Sequence, residues 1–167
     1  MKNIFLITLV LISVSVSAND CPELSGDYRM SLDNEIINLK VTQEQCKNFD
    51  FKYTYYNGSI IQYRYNIGQK EPAIIYNDAV RSIKVVAEIQ KIIIGNRYEL
   101  PALKLNITEH SKIYEDTLKS VSYFYSEQTP QTKSLVERRD YLKEDGKYFY
   151  RVYMGYSQQS DDSLLIK

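Results

Sequence analysis

The sequence has no tryptophan, one histidine and two cysteines among its 167 residues. With one histidine and no Cys-x-x-Cys pair, it offers no cluster of imidazoles and thiolates spaced to hold a metal ion. Glycine-rich phosphate loops and the Gly-x-Ser-x-Gly nucleophile motif are also missing. The sequence therefore predicts a non-enzymatic protein that carries no metal and no other cofactor.

The one histidine, His110, lies in the polar stretch Thr108-Glu109-His110. A histidine can serve as a general base or a metal ligand. A catalytic triad also needs a nucleophile and an orienting partner beside it, and the sequence indicates neither. We interpret His110 as a solvated loop residue, and a hydrolase stays a minor alternative.

Neither an excess of basic residues nor a membrane-length apolar run is present. Lysine and arginine total 21, which equals the number of acidic residues. Because proteins that bind nucleic acid carry a basic excess or patch, nucleic acid is excluded as a partner. Charged residues such as Lys84, Glu88 and Arg138 fall on the candidate strand faces, which argues against strands that face lipid.

Residues 1–18 have the three parts of a signal peptide. The apolar run, residues 4–12, is shorter than the roughly 20 residues that a membrane span requires. Val16 and Ala18 stand at the −3 and −1 positions of a cleavage site. The sequence predicts export, with residues 19–167 as one domain in the periplasm or secreted. A composition rich in Ile, Asn, Lys and Tyr favours a bacterial source.

The two cysteines, Cys21 and Cys46, are 25 positions apart and lie outside any redox or metal motif. In an exported protein, two such cysteines most simply form a disulfide. Closing a loop of this length stabilises the fold by about 3.5 kcal/mol on the chain-entropy model. We therefore expect a structural disulfide near the start of the mature chain.

Sixteen tyrosines, with abundant isoleucine and valine, favour β-strands. Asn57-Gly58 and Asp145-Gly146 stand between apolar runs, as in tight hairpins. Pro101 implies a bulge or an edge position. Residues 72–76 are apolar but of uncertain type, and residues 109–118 are expected to form a loop or a short helical turn. The predicted strands are residues 27–32, 36–43, 46–56, 59–66, 81–94, 97–107, 119–127, 132–142 and 147–156.

This pattern predicts an all-β fold, an antiparallel up-and-down meander of eight to ten strands. Closing the meander into a barrel removes its exposed edges, so a barrel is the leading architecture. A two-sheet β-sandwich is the alternative.

The segment Gly26-Asp27-Tyr28 resembles the opening of a lipocalin-like (calycin) barrel, which begins with Gly-x-Trp before its first strand. Tyr28 stands in the place of that tryptophan. Arg151 stands where the family has an arginine near the end of its last strand. The resemblance implies a barrel whose base is closed by Arg151 stacked on Tyr28 as a cation–π pair. It also implies an interior that holds a small apolar or amphipathic ligand.

Four tyrosines cluster around the Asn57-Gly58 turn and form the predicted contact site for a ligand or a partner: Tyr55, Tyr56, Tyr63 and Tyr65. Two functions remain open. One is an exported, lipocalin-like ligand carrier, and the other is a protein-interaction module, such as an envelope-associated factor or a secreted inhibitor. An apolar cavity of about 300 Å³ or more supports the carrier, whereas an interior filled with aromatic side chains favours the interaction module.

Overall fold

The structure, a computed structural model, describes residues 20–32, 35–95 and 98–158. The predicted signal peptide and the apolar end of the C-terminal tail lie outside the described residues. The elements of the described part are ten β-strands: β1 (Gly26–Leu32), β2 (Glu35–Glu44), β3 (Asn48–Tyr55), β4 (Ile60–Asn66), β5 (Ala73–Asn77), β6 (Arg81–Ile94), β7 (Tyr98–Ser111), β8 (Thr117–Gln128), β9 (Lys133–Leu142) and β10 (Tyr148–Gln158).

All ten strands belong to one antiparallel sheet in the order β4-β3-β2-β1-β10-β9-β8-β7-β6-β5. The predicted all-β antiparallel meander is confirmed, and the described strands form a single sheet rather than the two of a sandwich. The first described strand pairs with the last, so the two halves of the meander are joined at β1 and β10. Strands β4 and β5 are the ends of the sheet, which is not closed by a ladder between them. Just beyond β4, Ile67 forms one isolated bridge with Ala87 of β6, the strand next to the end strand β5.

The alternation expected for β3 is present. Phe49 and Phe51 are buried and Tyr53 is partly buried on one face, while Asp50 and Lys52 point the other way. The same period of two along the neighbouring strands produces one main core on the concave face of the sheet. The core residues are Leu24, Tyr28, Met30, Leu39, Val41, Phe49, Phe51, Tyr65, Val85, Ala87, Leu103, Leu105, Phe124, Leu135 and Tyr156.

One segment differs in part from expectation, and the segment left open is now assigned. The stretch 109–118 contains no helix, because β7 continues to Ser111 and β8 begins at Thr117, with a turn at residues 112–114. The stretch of uncertain type is the short end strand β5. Pro101 does occupy a local edge: it lies opposite Lys91 of β6, whereas the β7–β8 ladder begins only at Leu103. A proline lacks the N–H that a second ladder needs.

The predicted disulfide is confirmed. Cys21 and Cys46 are bonded with their Cα atoms 5.8 Å apart. The bond joins the residues before β1 to the turn after β2, and the side chain of Gln43 accepts a hydrogen bond from the Leu24 backbone at 2.8 Å. Gly26 is required beside this point, because a Cβ there would lie 3.0 Å from the Tyr28 ring.

Candidate interaction surface

The concave face of the sheet is filled by aromatic rings. Phe51 of β3 and Phe124 of β8 contact each other edge to face, with ring centroids 4.9 Å apart. Tyr65 of β4 packs against the same Phe51 ring at 5.4 Å. Strands β3 and β8 are far apart in the order of the sheet, so this contact requires the sheet to curl until its two halves meet. The interior is then packed with side chains.

The space between the approaching ends of the sheet is small. The cleft bordered by Tyr65, Ala73, Ile75, Val85 and Ala87 has a volume of about 10 Å³. That is hardly room for one water molecule, and small-molecule sites usually measure about 300 Å³ or more. This cleft is therefore too small to hold such a ligand.

A polar network is buried within the apolar interior. Glu137 is only 2 % exposed, and it accepts hydrogen bonds from the Ser122 hydroxyl at 3.0 Å and from Arg139 Nε at 3.1 Å, with Arg139 Nη2 forming an ion pair at 2.8 Å. Arg139 Nε also donates to Ser122 Oγ at 2.9 Å. Burial raises the pKa of Glu137, while the Arg139 charge and the two hydrogen bonds oppose that shift. The carboxylate is thus satisfied inside the core.

Three tyrosines from separate strands surround this carboxylate at longer range. Burial, and next the charge of Glu137, raise the pKa values of Tyr53, Tyr65 and Tyr156. Together with Arg139, these side chains close Glu137 off from solvent. The charge of Glu137 thus acts on side chains of β3, β4 and β10 as well as on its neighbours in β8 and β9.

A broad depression lies on the convex face of β1, β2 and β3, with a volume of about 1240 Å³. Its lining includes the charged side chains of Asp27, Arg29, Lys40 and Lys52 and the exposed ring of Tyr56. Lys40 and Lys52 are direct cross-strand partners, which is unfavourable for two like charges. The depression is open to solvent on the outside of the sheet and is bordered by these four charged side chains, so it differs from the enclosed apolar cavity of a ligand carrier.

An arginine and tyrosine ladder covers the convex face of β8, β9 and β10. Asp140 is buried beneath two arginines: Arg151 donates to both of its carboxylate oxygens, and Arg138 Nε lies 3.5 Å away. Each arginine also stacks on a ring, Arg138 on Tyr123 at 4.3 Å and Arg151 on Tyr148 at 4.5 Å. The ladder carries two positive charges and one negative charge, so it presents a net positive surface.

Beside the ladder, four aromatic residues form a cluster at the end of the β9–β10 hairpin. Tyr141 and Tyr150 stack with centroids 4.1 Å apart, and Phe149 packs against both rings. Tyr148 is 56 % exposed, and Phe149 and Tyr150 are each 45 % exposed. We call Tyr141, Tyr148, Phe149 and Tyr150 the hairpin aromatic cluster. Exposed aromatics grouped in this way are typical of protein-interaction sites.

The four tyrosines expected to form a contact site do not lie together on the surface. Tyr65 is buried in the core, and Tyr63 and Tyr55 are half-buried, with Tyr63 packed between Tyr53 and Tyr65. Tyr56 is exposed and borders the convex depression. The exposed aromatic patch is at the other end of the chain.

The sequence contained a signal for the hairpin aromatic cluster. Tyr148, Phe149 and Tyr150 are consecutive, just after the Asp145-Gly146 turn. A strand can bury only alternate residues on one face, so three aromatics in a row must leave rings exposed. A bulge adds to this effect, since the ladder shifts register between Tyr148 and Tyr150.

Tyr28 and Arg151, the expected stacking pair, lie on opposite faces of the sheet. Tyr28 is fully buried, and its hydroxyl donates to the Leu24 carbonyl at 3.0 Å. Burial, and next the charge of Glu23, raise its pKa to about 12. Arg151 is on the convex face and stacks on Tyr148, so the expected cation–π contact is replaced by a contact within β10.

The remaining polar candidates stay apart from one another. His110 is exposed, and its Nδ1 lies 3.2 Å from the Thr117 hydroxyl across the β7–β8 ladder. Within the described residues, no group of three or more His, Cys, Asp or Glu side chains is placed to hold a metal ion. A separate search of that same part of the chain finds no helix long and apolar enough to cross a membrane.

Comparison with known proteins gives no relative: no protein-family model, no curated protein and no solved structure matches this chain.

Proposed function

We propose that this chain is an exported protein-interaction module whose binding surface is the hairpin aromatic cluster with the adjoining arginine and tyrosine ladder. The observation that carries the proposal is the contrast between the packed interior of the sheet and the β9–β10 hairpin. The interior rings contact one another, as Phe51 and Phe124 do, and so have their partners within the chain. The rings of the β9–β10 hairpin are about half exposed.

The composition of the surface also favours a protein partner. Aromatic side chains and arginine are enriched where proteins bind one another, because they combine large apolar area with polar groups. Here Arg138 and Arg151 are held in place by Asp140 and by the rings beneath them. Such pre-ordered side chains lose little entropy on binding.

Export is part of the proposal and is supported by the Cys21–Cys46 disulfide, since such bonds persist in oxidising compartments. We also propose that the curled sheet is a variant of the lipocalin-like barrel. The Ile67–Ala87 bridge between its approaching ends and the inward position of Tyr28 support this reading. The packed interior then makes it a barrel that acts through its outer surface.

Site-specific photo-crosslinking in the exported, full-length protein tests the function. A photoreactive benzoylphenylalanine replaces Phe149 in one variant. In the control it replaces Tyr114, which is 80 % exposed in the turn between β7 and β8. We expect a discrete protein adduct from position 149 and none from position 114. Replacing Tyr148 and Tyr150 with serine should remove the adduct while the circular dichroism spectrum is retained.

Titration with an environment-sensitive fatty-acid probe supplies the opposing test. We expect no saturable binding, because the described interior would have to give up its ring contacts. Saturable binding of the probe, lost on Phe124→Trp and joined by no adduct from position 149, would overturn the interaction function in favour of a ligand carrier.

A further inference from the structure

The β1–β10 junction leaves one edge of β10 unpaired over most of its length. The ladder between the two strands consists of two residue pairs, Tyr28 with Gln158 and Arg29 with Ser157. Extending that register would place Leu32, the end of β1, opposite Met154. Residues 148–153 of β10 therefore run beyond β1 and pair only with β9 in the described structure.

Two other breaks in the sheet are contacted by the chain itself. Just beyond the end strand β4, Ile67 forms a bridge with Ala87 of β6. The part of β7 before Leu103, which includes Pro101, has no ladder with β8. It lies beside a separate apolar cluster that contains Ile92, Ala102 and Tyr125. An uncovered edge exposes a row of backbone N–H and C=O groups. The free edge of β10 lacks such a cover in the described residues.

The side chains along this edge differ between the two faces of the sheet. On the concave side, Val152 and Met154 are half-buried and apolar. On the convex side stand Arg151 and Tyr153, which is 60 % exposed. Arg151 belongs to the ladder that carries two positive charges around the one carboxylate of Asp140.

We propose that an extended segment of a partner protein binds by adding a strand alongside residues 148–153 of β10. An apolar side chain of that segment contacts Val152 on the concave side, and an acidic side chain on the other face contacts Arg151. Main-chain hydrogen bonds supply affinity in such strand addition, and the alternating side chains supply specificity. This inference rests on the proposed function, and it specifies how the partner is recognised.

A second copy of this chain fits the edge less well. Antiparallel pairing of two β10 strands about a two-fold axis, centred on residues 150–152, sets the two Arg151 side chains directly or diagonally opposite. Like charges in those positions destabilise a strand pair. The charge of the edge thus favours a different chain that carries an acidic residue.

Binding of designed peptides tests the inference, with the blocked eight-residue sequence Val-Glu-Val-Thr-Val-Glu-Val-Thr as the probe. We expect it to bind the full chain and to slow amide hydrogen exchange within residues 148–153. A matched peptide with lysine in place of glutamate should bind at least ten-fold more weakly. Two further peptides carry N-methyl groups at either the odd-numbered or the even-numbered residues. Only one of the two should lose binding, because only alternate amides of the peptide face the edge of β10.

Two protein variants complete the test. Tyr153→Glu places a negative charge beside the acidic peptide and should weaken binding about ten-fold. Tyr98→Glu, at an exposed position at the opposite end of the sheet, should leave binding unchanged. Unchanged amide exchange under saturating peptide would overturn strand addition. Concentration-dependent dimerisation that slows the same amides would also overturn it, because the edge would then serve self-association. Adduct formation from position 149 is measured separately, so the interaction function can hold while strand addition fails.

Discussion

Arg151 of β10 lies directly opposite Asp140 of β9 and donates to both of its carboxylate oxygens through Nε and Nη2. The same carboxylate is 3.5 Å from Arg138 Nε, so one acid holds two arginines against the sheet. A strand with one unpaired edge is thus anchored to its neighbour through its outer face. Charge pairing here supports the backbone ladder that β10 shares with β9.

Replacing Asp140 with asparagine should lower the free energy of unfolding by about 1–3 kcal/mol, because two arginines lose their counter-charge on a largely buried site. Urea denaturation followed by circular dichroism measures the change. Asp27→Asn is the control, since its pair with Lys40 is 3.9 Å long and each side chain is 59 % exposed. It should change stability by less than about 0.5 kcal/mol. Equal effects of the two substitutions would contradict the anchoring role of Asp140.

The contact between Phe51 and Phe124 predicts energetic coupling between the two halves of the sheet. Each substitution by alanine should cost about 3–5 kcal/mol. The loss of unfolding free energy in the double variant should be about 0.5–1.5 kcal/mol smaller than the sum of the two single losses. Phe149→Ala, at an exposed ring, is the control and should cost far less. Full additivity in the double-mutant cycle would mean that the rings do not meet in solution.

Reducing the Cys21–Cys46 bond should lower the free energy of unfolding by about 3 kcal/mol, because the reduced chain regains the freedom of the closed loop. Intact mass before and after alkylation establishes the bond, and denaturation of a double Cys→Ala variant gives its contribution. The variant should be insensitive to reductant. A native protein equally insensitive to reductant would show that the bond adds nothing to stability.

Burial of Glu137 predicts a specific dependence of stability on pH. Its pKa is raised above the ordinary value of 4.5, so the native state binds this proton more tightly than the unfolded state does. The stabilisation that comes from this proton is therefore fully present below about pH 4.5 and is lost as the pH rises through the native-state pKa. It amounts to about 1.4 kcal/mol for each unit by which the native-state pKa is raised. Relative to Glu137→Gln, the native protein should lose stability over that interval.

Denaturation of both proteins at a series of pH values from 4 to 8 measures this difference. Ser122→Ala offers a second check, because the serine hydroxyl lowers the pKa of Glu137. Its removal should extend the loss of stability to higher pH. A difference between the native protein and Glu137→Gln that does not vary with pH would show that the carboxyl is not perturbed.

Local sequence patterns were sufficient to predict most of the fold. Alternating residues and Asn-Gly or Asp-Gly turns gave strands within one to four residues of those observed, and export context led to the correct cysteine pair. The segment 109–118 was misjudged because it is polar on both faces. Its strand ends are held by ladder partners such as Thr117 opposite His110, and such partners depend on tertiary structure.

The candidate site was harder to predict because exposure depends on how the sheet curls. Tyr65 and Tyr150 both lie in strands beside a turn, yet one is in the core and the other about half exposed. Tyr65 is buried because β3 and β8 contact each other, and Tyr150 is exposed because β10 has a bulge and a free edge there. The register that sets Tyr28 opposite Gln158 places Arg151 on the other face of the sheet, which a motif comparison along the chain does not reveal.

The two-pair ladder between β1 and β10 has a consequence for the order in which the chain folds. Strands β1 to β4 can pair with one another as soon as they are synthesised. The other edge of β1 can pair only after β10, the last described strand, has been made. Until Ser157 and Gln158 are available, the margin of that half-sheet at β1 has no strand to pair with. Truncation just before these two residues should therefore divide one cooperative unfolding transition into two.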